Sequence, residues 1–230
     1  TSKLWLRVND SSDLVAFIYG PYLLETVVNG VTVAIEQDTQ YPFAETITLK
    51  INTESAVEFG IHMRVPRWSV HTDVTAEGAD LEVQDGYIVV RKLWQAGDEI
   101  RLIFMPQIRA VRNVNHEYTI RRGPLQFALP IAHKQEAIKS YAVSGFHDYN
   151  LTPRSVRDAY QIIFLDDGQE NFGLSVIENK SADFSRPWDD SPLILKAGEH
   201  TLVPLGCTLL RRSTFPILDH KSSIADRPDA

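Results

Sequence analysis

Cysteine is nearly absent from this 230-residue chain. Cys207 is the only one, and methionine occurs twice. A single thiol excludes an internal disulfide and any zinc site built from several cysteines of one chain. Its surroundings, Leu205 to Leu210, read as a buried strand, which makes Cys207 a small core hydrophobe rather than a reactive thiol. No apolar run approaches the roughly 20 residues a spanning helix needs. Basic charge is also short, since 23 Lys and Arg against 30 Asp and Glu leave a net charge of −7. Nucleic-acid binding draws most of its affinity from a cationic face that neutralises phosphates. Neither nucleic acid nor a membrane is expected as a partner. The first residues, Thr1 to Trp5, carry neither a starting methionine nor a signal peptide and read as a cut inside a longer protein.

Chemical signatures are missing as well. The chain has no nucleophile elbow, no P-loop and no dinucleotide fingerprint. Seven histidines are scattered without a close ligand pair, so no metal and no cofactor is expected. Glycoside hydrolysis needs two carboxylates about 5 to 10 Å apart. The candidates are Asp166, Asp167 and Glu170, then Asp189 with Asp190, then Glu36 with Asp38. Neighbouring residues of a strand point to opposite faces, which suits none of the adjacent pairs. Asp166-Asp167-Gly168 reads better as a turn. No residue is assigned a catalytic or metal-binding role.

What is present is an ordinary globular balance, 43% hydrophobic and 23% charged, with apolar side chains repeating at period two. Ile47, Leu49 and Ile51 share one strand face. Val57, Phe59, Ile61, Met63 and Val65 share another, and Ile100, Leu102 and Phe104 a third. Asn29-Gly30 between two β-branched runs predicts a type I′ hairpin. Asp85-Gly86 and Gly97 punctuate later strands in the same way. The fold class is therefore all-β, as two tandem β-sandwich (jelly-roll-like) domains with antiparallel sheets. The boundaries expected are a first sandwich over 1–131, a C-terminal β domain over 132–218 and a mobile polar tail over 219–230. Residues 133–141 read as a short helix or a loop, and 153–160 as one more helical turn. Further strands are expected at 160–164, 173–177 and 207–211.

The four tryptophans offer the one binding chemistry within reach, because sugars stack on exposed aromatic rings. Trp188 and Trp68 are the candidate carbohydrate contacts, set against the plainer role of large apolar fillers. Trp94, beside a strand entrance, belongs to the core.

Several motifs recur in one order: Asp13 to Pro21, Gln37 to Phe43, His62 to Trp68, Gly86-Tyr87, Trp94 to Asp98, and Arg121 to Leu125. Arg186 to Asp189 and Leu202 to Thr208 follow. The series resembles the region after the catalytic barrel in glycoside hydrolase family 127-like proteins, the β-L-arabinofuranosidase relatives. The resemblance covers roughly residues 10 to 216. It implies an N-terminal (α/α)6 barrel that holds a zinc-bound cysteine nucleophile and a glutamate acid/base. Those residues lie upstream of the segment that matches Asp13, and Cys207 matches none of them. The resemblance thus implies a non-catalytic region that packs against and supports that barrel, with a homodimer or a glycan as further partners. A carbohydrate-binding module is the alternative reading, and a free-standing hydrolase the third.

Overall fold

The computed structural model describes residues 5–8 and 12–218. The polar tail expected from residue 219 lies outside the described residues. The chain divides into two compact units, Thr1–Gln107 and Ile108–Ala230.

The first unit holds ten strands: β1 (Trp5–Arg7), β2 (Leu14–Ala16), β3 (Tyr22–Val28), β4 (Val31–Thr39), β5 (Thr46–Thr53), β6 (Val57–Arg64), β7 (Ser69–Thr75), β8 (Asp80–Gln84), β9 (Tyr87–Trp94) and β10 (Glu99–Pro106). They form two five-stranded sheets, ordered β1-β2-β6-β9-β8 and β3-β4-β5-β10-β7. Both sheets feed one apolar core. The first contributes Leu14, Ala16, Phe59, Ile61, Met63, Val90 and Trp94, and the second Val33, Ile35, Ile47, Leu49, Ile51, Ile100, Leu102 and Phe104. This is a β-sandwich, and the period-two faces read from the sequence are the faces it buries.

Turn chemistry sets the register. Asn29 (φ 49°) and Gly30 (φ 82°) both occupy the left-handed region, and the hairpin closes with Val28 opposite Val31. Asp85 and Gly86 repeat this geometry between β8 and β9. Almost all pairing is antiparallel. The exceptions are β2 on β6 in this unit and a two-residue pair in the second. Trp94 is fully buried, and its indole N–H donates to the Phe59 carbonyl at 3.0 Å. Phe59 lies 6.0 Å away, ring centroid to centroid. Tyr19, also buried, donates its hydroxyl to the Arg64 carbonyl at 2.7 Å.

The second unit holds β11 (Ile108–Arg112), β12 (Tyr118–Arg122), β13 (Leu125–Pro130), β14 (His133–Ser140), β15 (His147–Pro153), the one-turn helix α1 (Val156–Ala159), β16 (Leu165–Asp166), β17 (Ser175–Glu178), β18 (Leu193–Ala197), β19 (His200–Pro204), β20 (Arg211–Arg212) and β21 (Ile217–Leu218). Its main sheet runs β11-β12-β13-β19-β18-β17, with β20 also on β13. Ile120, Phe127, Leu195, Leu202 and Phe215 are fully buried. The divide at 107/108 falls earlier than the 131/132 expected, because β13 takes its partners from late in the chain: Ala128 pairs with Val203 and Leu129 with Arg212.

Three local expectations are corrected. Residues 133–140 form a strand, not a helix or a loop. The cross-strand ladder to 147–153 overrides the helix-favouring Lys-Gln-Glu-Ala run. Residues 160–164 carry no strand. Cys207 is only half-buried and ends a 3-10 turn, Leu205–Cys207, rather than lying in a buried strand. Its thiol approaches the Pro187 carbonyl at 3.7 Å. The turn expected within 153–160 is α1, capped by the Ser155 hydroxyl, which accepts from the Asp158 N–H.

The indole of Trp94 is buried against Phe59 of the neighbouring strand β6. Replacing it with alanine leaves a large cavity and removes the indole bond to the Phe59 carbonyl. Trp94→Ala should cost about 4 kcal/mol in urea unfolding of the first unit. A cost below about 1 kcal/mol, the range of a surface substitution, would contradict this packing.

Candidate functional site

The most concentrated charged cluster in the first unit lies on the outer face of the β1-β2-β6-β9-β8 sheet. On β6, Val57, Phe59, Ile61 and Met63 enter the core, which turns Glu58, Gly60 and His62 outward. Gly60 pairs with Arg91 of β9, and Ile61 pairs with Leu14 of β2. Asp13 precedes Leu14 and therefore reaches the same face as Arg91, with β6 between them.

Asp13 is 6% exposed. Its Oδ1 accepts the Gly60 N–H at 2.7 Å. Its Oδ2 accepts from Arg91 Nη2 at 2.5 Å and lies 3.0 Å from His62 Nε2. Burial alone would raise the Asp13 pKa. The hydrogen bonds from His62, Arg91 and the Gly60 amide, with the charge of Arg91, outweigh it and hold the carboxyl below its ordinary value. The bridge passes over Gly60 because that residue has no side chain. A Cβ there would stand 2.7 Å from Asp13 Oδ2 and 2.9 Å from Arg91 Nη2. Asp80, Glu82, Gln84 and Val89 complete a cleft of about 420 Å³ beside the cluster.

This arrangement ties three strands together. Both oxygens of Asp13 are engaged and the carboxyl is held ionised. A general acid needs the opposite, a pKa raised toward neutrality. Among the described residues no group of three or more His, Cys, Asp or Glu side chains is placed to hold a metal ion.

The candidates named from the sequence fall elsewhere. Trp68 is half-buried against the first core, edge-on to Phe104 at 5.3 Å. Trp188 lies in the second unit and is 45% exposed. Its ring rests on Gly206, where a Cβ would come within 2.7 Å of the indole. Arg186 pairs with Asp189 beside it at 2.5 Å. Trp68 is therefore largely a filler, and Trp188 is the more accessible ring. Asp166 closes a turn, as expected, by accepting from the Gly168 N–H and from Gln169 Nε2. Asp38 pairs with Lys50 at 2.6 Å, and Asp190 accepts from Asn179. The Asp13–His62–Arg91 cluster escaped the sequence reading. Asp13 and His62 both stand in the motifs quoted above, but Arg91 joins them only once β9 is known to pair with β6.

Comparison with known proteins now places this scaffold. The fold is that of the β-sandwich region of a glycoside hydrolase. Residues 13–105 match the family model described as β-L-arabinofuranosidase, GH127 middle domain. Asp13 is the first residue of the match. Among solved structures, the chain is similar to a GH127 β-L-arabinofuranosidase from Geobacillus stearothermophilus T6. The TM-score is 0.55 and the identity 20%, over 93% of this chain and 34% of that one. It is also similar to a GH127 β-arabinofuranosidase (TM-score 0.53, 17% identity, 90% of this chain and 35% of that one). A structure described as a glycoside hydrolase follows (0.51, 16%, 90% and 36%). At these identities the likeness is one of fold, and it extends well past residue 105. The chain spans about a third of the length of these structures. No curated protein sequence matches it.

The bridge predicts a pH-dependent stability. A carboxyl whose folded pKa is depressed stabilises above its unfolded value, about 3.9, and that stability is lost as pH falls through the folded value. Asp13→Asn should cost about 2 kcal/mol at neutral pH. Partial exposure of the Arg91 side chain keeps this below the cost of breaking a fully buried pair. The difference between wild type and variant should shrink as unfolding is measured at pH values falling from about 7 to about 3. A difference that stays constant over that range would mean that Asp13 acts by shape rather than by charge.

Proposed function

We propose that this chain is the accessory β-sandwich region of a β-L-arabinofuranosidase-like glycoside hydrolase, packing against and supporting an N-terminal (α/α)6 catalytic barrel. The match of residues 13–105 to a GH127 middle domain carries this reading. A domain so described lies between other parts of its protein. The coverage agrees with it, since the matched structures are about three times the length of this chain. The engaged carboxylate of Asp13 agrees as well, because the most concentrated charged cluster of the first unit is committed to holding strands together.

On this reading the role is mechanical. A twisted sheet packed on a second sheet is stiff, and a stiff platform fixes the elements that rest on it. Leu6, Phe17 and Leu93 stand exposed from the Asp13-bearing sheet, with the Arg64 guanidinium 5.6 Å from the Phe17 ring centre. Apolar groups of this kind favour cover by a neighbouring domain, or by a second copy when that domain is missing.

A second reading, a carbohydrate-binding module, has one observation in its favour, the exposure of the Trp188 ring. On it, millimolar or tighter binding of an arabinan would be lost in Trp188→Ala. Flat calorimetry across a glycan panel removes it.

A simple assay separates the accessory reading from a free-standing hydrolase. The accessory reading predicts that this chain releases no product from an aryl arabinofuranoside. Hydrolysis should appear only with a polypeptide that also carries the barrel. Turnover by this chain, at a rate unaffected by removing bound metal, would overturn the reading and favour a hydrolase built on its own carboxylates.

A further inference from the structure

The second unit carries a feature that its own packing does not explain. Among the described residues β14 and β15 pair only with each other, as a two-stranded ribbon outside the main sheet. Eight residues of strand extend about 25 Å. Along the ribbon nearly every side chain is exposed, with partial burial only at His133, Leu151 and Pro153. Its root is closed by the Arg154 N–H donating to the Ala132 carbonyl at 2.9 Å and tied to the unit by the Ile131 N–H donating to the Leu210 carbonyl at 2.9 Å.

The outer end is apolar and ordered. Ile138 is 66% exposed, Val143 61% and Phe146 65%, with Tyr141 and Tyr149 also exposed. The turn closes through Tyr141 N–H to the Phe146 carbonyl and Phe146 N–H to the Val143 carbonyl, with Gly145 at φ 84°. Lys139 Nζ sits 4.6 Å from the Tyr141 ring centre, and the Tyr141 hydroxyl donates to Asp148 at 2.8 Å. The rings of His147 and Tyr149 lie 5.7 Å apart. A lone two-stranded ribbon is at best marginally stable in water. Five large apolar side chains stand exposed along its outer half, with Tyr141 and Tyr149 on opposite faces of the ribbon, more than a free surface usually carries.

Three clefts among the described residues mix polar and apolar lining. One is lined by Glu77, Lys92, Asp98, Glu99 and Arg101, another by Gln169, Glu170 and Asn171, and the third by Asp13, His62, Asp80, Glu82 and Arg91. The ionised and amide groups in each of them would desolvate at a cost against Ile138, Val143 and Phe146. The structures that share this fold contain about twice as much further chain.

We propose that the β14–β15 ribbon is a docking arm whose apolar tip, Ile138, Tyr141, Val143, Phe146 and Tyr149, inserts into an apolar concavity of the catalytic portion of the same polypeptide. This rests on the accessory reading above and names the element that makes the contact. The arm is anchored at its root by the second unit and completed at its tip by the partner domain.

Hydrogen exchange tests it, comparing this chain with the full-length polypeptide that carries the catalytic portion. Amides of residues 134–152 should exchange rapidly in this chain and at least about tenfold more slowly in the full-length protein. The double variant Tyr141→Ser with Phe146→Ser should abolish that protection and lower the melting temperature of the full-length protein, while leaving that of this chain unchanged. Equal exchange in both proteins overturns the proposal. So does an equal loss of stability in both, which would make the tip part of this unit's own packing. Protection that rises with the concentration of this chain alone assigns the arm to a second copy and also overturns it. Protection of the outer face around Leu6, Phe17 and Leu93 without protection of the arm would retain the accessory reading and reject the arm.

Discussion

A charged bridge can cross a β-strand only where that strand presents no side chain. In this protein Gly60 provides the gap. Asp13, just before β2, and Arg91 from β9 meet above it, and the Gly60 amide donates a second bond to the carboxylate. This matters because β2 joins β6 in parallel, a pairing slightly weaker per residue than the antiparallel kind, and because β1 and β2 are only three residues long each. Without a clamp, the edge that carries Trp5, Leu14 and Ala16 into the core would be held by few ladder bonds. The bridge fixes that edge to the long β6–β9 pair, and the two sheets can then close over one core.

The remainder of the first unit follows from alternation. Each long strand has one apolar face, and the primed turns at Asn29-Gly30 and Asp85-Gly86 fix registers that turn those faces inward. Trp94, at the end of β9, fills the space beside Phe59 and satisfies that residue's carbonyl.

How far the sequence revealed this depended on the range of each interaction. Ile47, Leu49 and Ile51 showed their buried face directly, because strand alternation is a property of adjacent residues. The hairpin turns were equally local. The unit boundary was not, since β13 looks like the last strand of the first run until β19 and β20 are seen to pair with it. The 133–140 segment misled because its composition favours helix, while its structure is decided by residues 147–153. The half-buried thiol of Cys207 was placed too deep for a similar reason: its run of apolar neighbours ends in a 3-10 turn against Pro187 and Trp188. Among site residues, Trp188 was legible as exposed, whereas the Asp13–His62–Arg91 cluster joins positions up to 78 residues apart.

The role of this chain then depends on what rests upon it. The proposed reading draws on the match of residues 13–105 to a GH127 middle domain, on the fold shared with structures three times as long, and on exposed apolar groups in both units. The most direct measurement is a titration of this chain into the separately produced catalytic portion, followed by calorimetry at several temperatures. The account predicts saturable one-to-one binding with a negative heat-capacity change, the mark of apolar surface leaving water, and a catalytic portion that survives heating better once bound. A catalytic portion that is fully stable and active alone, and shows no heat of binding to this chain, would contradict it.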